Sequence, residues 1–316
     1  MDSKNSETNN PLVALSVQIA EAVKRVSPGL VAVDARPRVR TSGVIWRPGV
    51  VVSTNHTIRR DEEITISLDD GRQMKATLAG RDAGTDLAVL RVEHDDAGTA
   101  NAPVQFAEAS TQAVGNLVLA VGRAHPDQGV SASLGVISVL SDKWRTWRGG
   151  EIDRLIRPDV SIFIGYSGGA LIDASGRVIG INTTGLSRGS GLTIPASTVD
   201  RVVDQLLTSG RVARPYLGVG MHPIVLPDKL REKFNLPQAT GLMMLSVEAD
   251  APADLAGITI GDVLVMLGDA PVANTDDVQT ILGSNEVGTV LKARILRGGE
   301  IQEKEITLGE RPARKR

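Results

Sequence analysis

The chain of 316 residues contains no cysteine, which removes disulfides, thiolate metal sites and a cysteine nucleophile from consideration together. Histidine is scarce as well. Its four histidines, at positions 56, 94, 125 and 222, show no HExxH or similar ligand spacing, so no metal site is expected, any catalysis must be metal-free, and no cofactor is implied. Charge of one sign is not in excess: the formal net charge is −2, so bulk electrostatics give no reason to expect nucleic acid or an acidic membrane as partner. Long apolar runs are missing too. Residues 1–10 are polar, and the apolar stretch behind them is broken by Gln18, Glu21 and Lys24, too early for a signal h-region or a membrane span. On that pattern the chain reads as cytoplasmic as it stands, unless an export segment is missing from it. What remains, 41% apolar and 23% charged residues, is ordinary globular composition, with length for one large or two to three small domains.

Behind the polar tail, Leu12, Leu15, Ile19, Val23 and Val26 recur every three or four residues, which predicts an amphipathic helix closing at Ser27-Pro28-Gly29. Tail and helix together make up an N-terminal segment, 1–25. Short runs rich in valine, isoleucine and leucine follow at 30–33, 50–53, 64–68, 74–78, 87–92, 117–121, 135–140, 161–164 and 178–182, with Asp69-Asp70-Gly71 as a hairpin turn between two of them. Many short strands with turn residues between them predict a closed all-β domain over 26–210. Ser197-Thr198-Val199-Asp200 reads as a helix cap, with Val199, Val202, Val203, Leu206 and Leu207 on one face and Gly210 as the stop. From 211 to 308 strands and short helices alternate, predicting a smaller α+β domain. Residues 309–316 read as a solvated basic tail.

Three polar residues stand out in order. His56 lies in Ser53-Thr54-Asn55-His56, Asp86 opens Asp86-Leu87-Ala88-Val89-Leu90, and Ser167 lies in Gly165-Tyr166-Ser167-Gly168-Gly169. A serine hydroxyl is a poor nucleophile at neutral pH unless an imidazole takes its proton, and that imidazole needs a carboxylate to hold its tautomer. Taken singly each residue has an ordinary explanation: a satisfied histidine, a turn-capping aspartate, a serine in a glycine turn. Their joint order, spacing and flanking residues argue for a catalytic triad.

Together with Gly191-Leu192-Thr193-Ile194-Pro195 and Arg214-Pro215-Tyr216-Leu217-Gly218-Val219, these segments resemble the HtrA/DegP family of serine proteases, from about Val26 to about Leu308. The resemblance implies two six-stranded β-barrels of chymotrypsin-like type with the site in the cleft between them. The module carrying Ala256-Gly257-Ile258-Thr259-Ile260-Gly261-Asp262 resembles a PDZ domain. The function implied is a serine endopeptidase acting on unfolded or damaged polypeptides under PDZ control. The alternative is a catalytically impaired, peptide-binding or chaperone-like homologue. A homotrimer is the family default, although residues 1–45 lack Phe, Tyr and Trp, and a periplasmic or cell-envelope location goes with the family.

By the same resemblance the oxyanion hole comes from the N–H groups of Gly165 and Ser167, and glycine at 165 suits a backbone that needs positive φ. The family usually shows Asn-Pro-Gly-Asn-Ser-Gly-Gly-Pro here, whereas this chain has Ile164, Tyr166 and Ala170 where two prolines and an asparagine stand. Losing two φ restraints predicts a less preorganised loop, and Tyr166 is expected to narrow the primed side of the cleft. Ile162, Phe163, Ile164, Asn182 and Thr183 are expected to line the pocket for the residue before the scissile bond, beside loop 185–191. With no acid there, small aliphatic side chains are favoured over Lys or Arg. In the PDZ-like module, Tyr216, Leu217, Gly218 and Val219 are expected to bind a free peptide C-terminus, with Val278 and Ile281 as apolar wall and Leu282 as core.

Overall fold

The computed structural model describes residues 10–93, 103–108, 111–124, 129–187 and 191–312. His94, His125, the first nine residues, the last four and residues 188–190 of the 185–191 loop lie outside these. The chain divides into two units, Met1–Val212 and Ala213–Arg316.

The first unit opens with α1 (Pro11–Val26), whose cap Asn10 accepts a hydrogen bond from the Leu12 N–H ahead of a proline at the first position. Only the second half of its apolar stripe is covered: Ala22 and Val26 are buried while Leu12 and Leu15 are exposed. Six antiparallel strands follow, β1 (Leu30–Asp34), β2 (Thr41–Arg47), β3 (Val50–Thr54), β4 (Ile64–Ser67), β5 (Gln73–Asp82) and β6 (Leu87–Val92). They close into a barrel in the order β1-β2-β3-β6-β5-β4. Next come β7 (Leu117–Gly122), β8 (Ser131–Ser141), a small hairpin of β9 (Trp144–Arg145) and β10 (Glu151–Ile152), then β11 (Leu155–Asp159), β12 (Ala170–Asp173), β13 (Val178–Thr183) and β14 (Leu192–Pro195). Strands 11, 14, 13, 12, 7 and 8 close, in that order, into a second barrel.

The apolar runs are continuous because the strands are buried on both faces. Ala88 and Leu90 point into the first barrel with Val31, Val33 and Val51, while Leu87 and Val89 join Trp46, Leu119 and Val121 in the core between the barrels. Helix α2 (Ala196–Ser209) adds Val199, Val202 and Val203 to that core and stops at Gly210 in the left-handed conformation. Its start differs from expectation. Pro195 occupies the cap position and, having no polar side chain, makes no capping bond, while the Thr198 hydroxyl accepts from the Asp153 N–H. The run at 161–164 is loop, and the strand lies before it at Leu155–Asp159. Strands β2, β12 and β14 carry too little apolar contrast to be read as runs.

In the second unit β15 (Pro215–Tyr216) and β16 (Val219–Val225) precede α3 (Asp228–Phe234), β17 (Thr240–Val247), α4 (Pro252–Leu255), β18 (Val263–Leu267), β19 (Ala270–Pro271), α5 (Thr275–Gly283), β20 (Val290–Arg297), β21 (Glu300–Thr307) and β22 (Gly309–Glu310). The sheet runs β16-β17-β18-β20-β21, so β16 is an edge strand, and β15 pairs with β22. Gly309–Glu310 is therefore strand rather than tail. A capping box between Asn274 and Asp277 starts α5. Asp262, 1% exposed, is pushed up by burial, but the guanidinium of Arg297 at 2.7 Å from both oxygens and the Thr259 N–H outweigh this and hold its carboxyl below the usual range.

Candidate active site

The first barrel supplies an imidazole and a carboxylate. His56 sits on a 3-10 turn, Asn55–Thr57, directly after β3, and Asp86 directly precedes β6 with φ of 59°. Aspartate tolerates this left-handed backbone better than most residues, and two bonds fix it there. The Asp86 carbonyl accepts from the Asn55 N–H at 2.9 Å, and its Oδ1 accepts from the His56 N–H at 2.9 Å. Its Oδ2 lies 2.7 Å from His56 Nδ1, so the Nδ1 proton faces the carboxylate and Nε2 is left as the acceptor nitrogen. Ahead of it, the Asp82 carboxylate accepts from Gly84 N–H, Thr85 N–H and the Thr85 hydroxyl, an Asx-type turn that aims the following residue. Asp86 itself is fully buried.

The second barrel contributes the serine on the loop from β11 to β12. What holds that loop is not proline but β2 of the other barrel: the Thr41 hydroxyl donates to the Ser167 carbonyl at 2.6 Å and the Ser42 hydroxyl to the Gly165 carbonyl at 2.6 Å. Ser42 N–H adds a second bond to Gly165, and Gly168 N–H donates to the Asn182 carbonyl. Among the described residues the N–H groups of Gly165 and Ser167 have no protein acceptor, the state two oxyanion donors need. Gly165 has φ of 96°, and a Cβ there would stand 2.4 Å from that of Ala124, so glycine is required twice over. Thr41 and Ser42 were not legible as functional residues; a hydroxyl pair opening a strand was their only signal.

Tyr166 does not narrow the cleft. It is 6% exposed and packs inside the second barrel with Val118, Ala120, Ile137 and Leu171, and this burial pushes its phenol up. The side chain turns inward because neighbouring Gly122 leaves the room. Phe163 and Ile164 are exposed, Phe163 meeting Tyr166 edge-on at 5.6 Å between ring centroids. Ile162 is half-buried, its Cδ1 lying where a side chain on Gly191 would stand. The side chains of Asn182 and Thr183 line no pocket. Both are fully buried: Asn182 donates to the Ala170 carbonyl and accepts from Thr193, and Thr183 donates to Asp86 Oδ2.

Two further residues join this site. The Thr184 hydroxyl lies 3.2 Å from Ser167 Oγ, whereas no hydrogen bond joins Ser167 to His56 among the described residues. Gly185 lies flat against the hydrogen-bonded His56 and Asp86: a Cβ there would stand 2.4 Å from Asp86 Oδ2 and 2.8 Å from His56 Nδ1. Thr183 thus bonds the carboxylate and Thr184 the serine, and Gly185 leaves no room for a side chain beside the carboxylate and imidazole. The other described histidine, His222, lies on β16 in the second unit, and no group of His, Asp and Glu suited to a metal occurs among the described residues.

In the second unit, Tyr216 to Val219 run from β15 into the edge strand β16. The carbonyls of Leu217 and Gly218 are taken by the N–H groups of Ala253 and Glu248, while the N–H groups of Leu217 and Gly218 have no acceptor among the described residues. Successive free N–H groups of this kind form an anion nest. Ile281 is half-buried on α5, beside that strand. Val278, expected in the wall, is fully buried in the core with Leu217 and Leu282, because its helical position faces the sheet. Desolvation and then the Glu248 carboxylate bonded to its hydroxyl push the Tyr216 phenol up to about 12.

Two closed six-stranded antiparallel barrels with a serine, a histidine and an aspartate between them define a chymotrypsin-like peptidase fold. The trypsin-like peptidase domain family matches residues 41–181, which include all three, and the PDZ domain family matches residues 215–308. A probable periplasmic serine endoprotease, DegP-like, of Rhizobium meliloti is 32% identical over 284 residues, covering 88% of this chain and 55% of that protein. One of the same description from Brucella suis is 33% identical over 289 residues, 88% of this chain and 54% of that one. The chain thus spans about half the length of the curated relatives it matches. The crystal structure of the serine endoprotease from Yersinia pestis superposes with a TM-score of 0.75 at 29% identity, covering 93% of this chain and 98% of that one. The HtrA-type protease AlgW with a decapeptide gives 0.74 at 26%, covering 93% and 99%. The chain belongs to the HtrA/DegP family of serine proteases, a trypsin-like peptidase domain followed by a PDZ domain. No helix among the described residues is long and apolar enough to cross a membrane.

Proposed function

We propose that the chain hydrolyses peptide bonds in unfolded or damaged polypeptides, with Ser167 as nucleophile, His56 as general base and Asp86 as its orienting carboxylate. The observation that carries this reading is the buried Asp86 bonded to His56 Nδ1, on the edge of a cleft where two N–H donors stand unengaged beside Ser167. Ser167 Oγ attacks the carbonyl carbon as its proton passes to His56 Nε2, and the carbonyl oxygen takes up the displaced electron pair between the N–H groups of Gly165 and Ser167. His56 returns the proton to the leaving amine, and water then releases the acyl group by the same route. The test is labelling by a fluorophosphonate probe, mapped by peptide mass. The adduct should fall on Ser167, and its rate should rise with pH to a plateau, because only neutral imidazole accepts the proton. A maximum in acid would point to carboxylate chemistry and sink the assignment.

The PDZ module is the regulatory half of the proposal. A peptide with a free C-terminal carboxylate and an apolar last residue would lie along the edge strand β16, its carboxylate on the N–H groups of Leu217 and Gly218 and its side chain against Ile281. Binding of such a peptide to the full chain, followed by calorimetry, is expected to weaken at least about tenfold when its C-terminus is amidated, the loss of one charge-assisted contact. Equal affinity for acid and amide would remove the nest from the reading.

A further inference from the structure

The Ser167 hydroxyl has a partner, and it is the wrong one for catalysis. Its bond runs to Thr184 Oγ1 at 3.2 Å, while the imidazole that must take its proton is oriented by Asp86 with no bond to Ser167 among the described residues. One direction of that bond is unproductive. If Ser167 donates, its proton points away from His56. If Thr184 donates instead, the Ser167 proton and its second lone pair stay free, so the competition lies in the first direction. Thr184 is exposed, whereas Ser167 is 6% exposed, so the threonine can be reached by a substrate in the cleft.

From this geometry, and resting on the peptidase reading above, we propose that Thr184 is a positioning residue that competes with His56 for the Ser167 hydroxyl and holds the nucleophile at rest until an occupant of the cleft displaces it. Threonine suits this role because its β-branched side chain has few χ1 states. Its neighbours fix the backbone beneath it: the Thr183 hydroxyl donates to Asp86 and accepts from the Gly185 N–H at 2.9 Å. The hydroxyl of residue 184 is therefore presented to Ser167 from a segment anchored on Asp86.

The competition makes a signed forecast. Removing the hydroxyl while keeping the branched shape, Thr184→Val, should speed fluorophosphonate labelling of Ser167 about 3- to 10-fold, the worth of one net neutral hydrogen bond. In that reaction the Oγ–P bond forms as fluoride leaves and His56 takes the Oγ proton, so the rate reads nucleophile readiness without a polypeptide substrate. Thr184→Ser, which keeps the hydroxyl, should label at the wild-type rate. The gain should appear in kcat or in the labelling constant with the pH midpoint unmoved, because Thr184 touches the serine and not the imidazole. A mere packing role would move stability and leave this pattern unmade. Labelling of Thr184→Val at or below the wild-type rate, or a serine variant that behaves like the valine one, overturns the inference while leaving the peptidase reading intact. Labelling of the valine variant alone supports the inference in its strongest form. Absence of Ser167 labelling in every variant overturns the peptidase reading and the inference with it.

Discussion

Ser167→Ala is expected to lower hydrolysis of an unfolded protein such as casein by at least about 10³-fold, the loss typical when a triad member is removed. The change deletes one oxygen whose one hydrogen bond among the described residues is the 3.2 Å contact to Thr184. The loop itself is held by other atoms: Thr41 on the Ser167 carbonyl, Ser42 on that of Gly165 and Asn182 on the Gly168 N–H. The variant should therefore unfold within a few degrees of the wild type, and activity and thermal unfolding measured side by side separate a chemical loss from a structural one. Substantial turnover by the folded variant would falsify the assignment of the nucleophile.

A second large effect is expected at a residue with no functional group. Gly185→Ala places a methyl 2.4 Å from Asp86 Oδ2 and 2.8 Å from His56 Nδ1, well inside contact distance, so the imidazole or the carboxylate must move. A displacement of about 1 Å at a catalytic group costs on the order of 10²-fold, and casein hydrolysis should fall by that factor. Gly185 has an ordinary negative or extended φ, so the loss is steric. Thermal unfolding of the same variant, measured beside activity, separates this local displacement from loss of the fold. If it retained full activity, the His56–Asp86 hydrogen bond seen here would not be the working arrangement.

Much of the barrel fold was legible because strands buried on both faces announce themselves as apolar runs, as 50–54 and 87–92 do. The strand Thr41–Arg47 was not, since it opens with Thr41, Ser42 and Gly43, polar or side-chainless residues whose burial depends on partners distant in sequence. His56, Asp86 and Ser167 could be read from local motifs and chain order. Asn182, Thr183 and Val278 were misplaced for one common reason: sequence shows that a residue adjoins a site but not which way its side chain turns. Asn182 and Thr183 face the interior and Val278 the sheet. Tyr166 shows the same limit, its ring admitted to the core by Gly122 forty-four positions earlier. Thr184 and Gly185 carry no motif at all, and their importance exists only in the folded distances to Ser167, Asp86 and His56.

The clamps from Thr41 and Ser42 bind the serine loop through its carbonyl oxygens, atoms that every amino acid owns. Outside the glycines at 165 and 168, which a Cβ would displace, a loop gripped in this way leaves its side chains open to change. Ile164 can stand in the solvent, Tyr166 can dive into the barrel and Ala170 can open a strand without proline at either end, and the two gripped peptide units stay where they are. Its grammar is written in the backbone, with the vocabulary left free at the positions between.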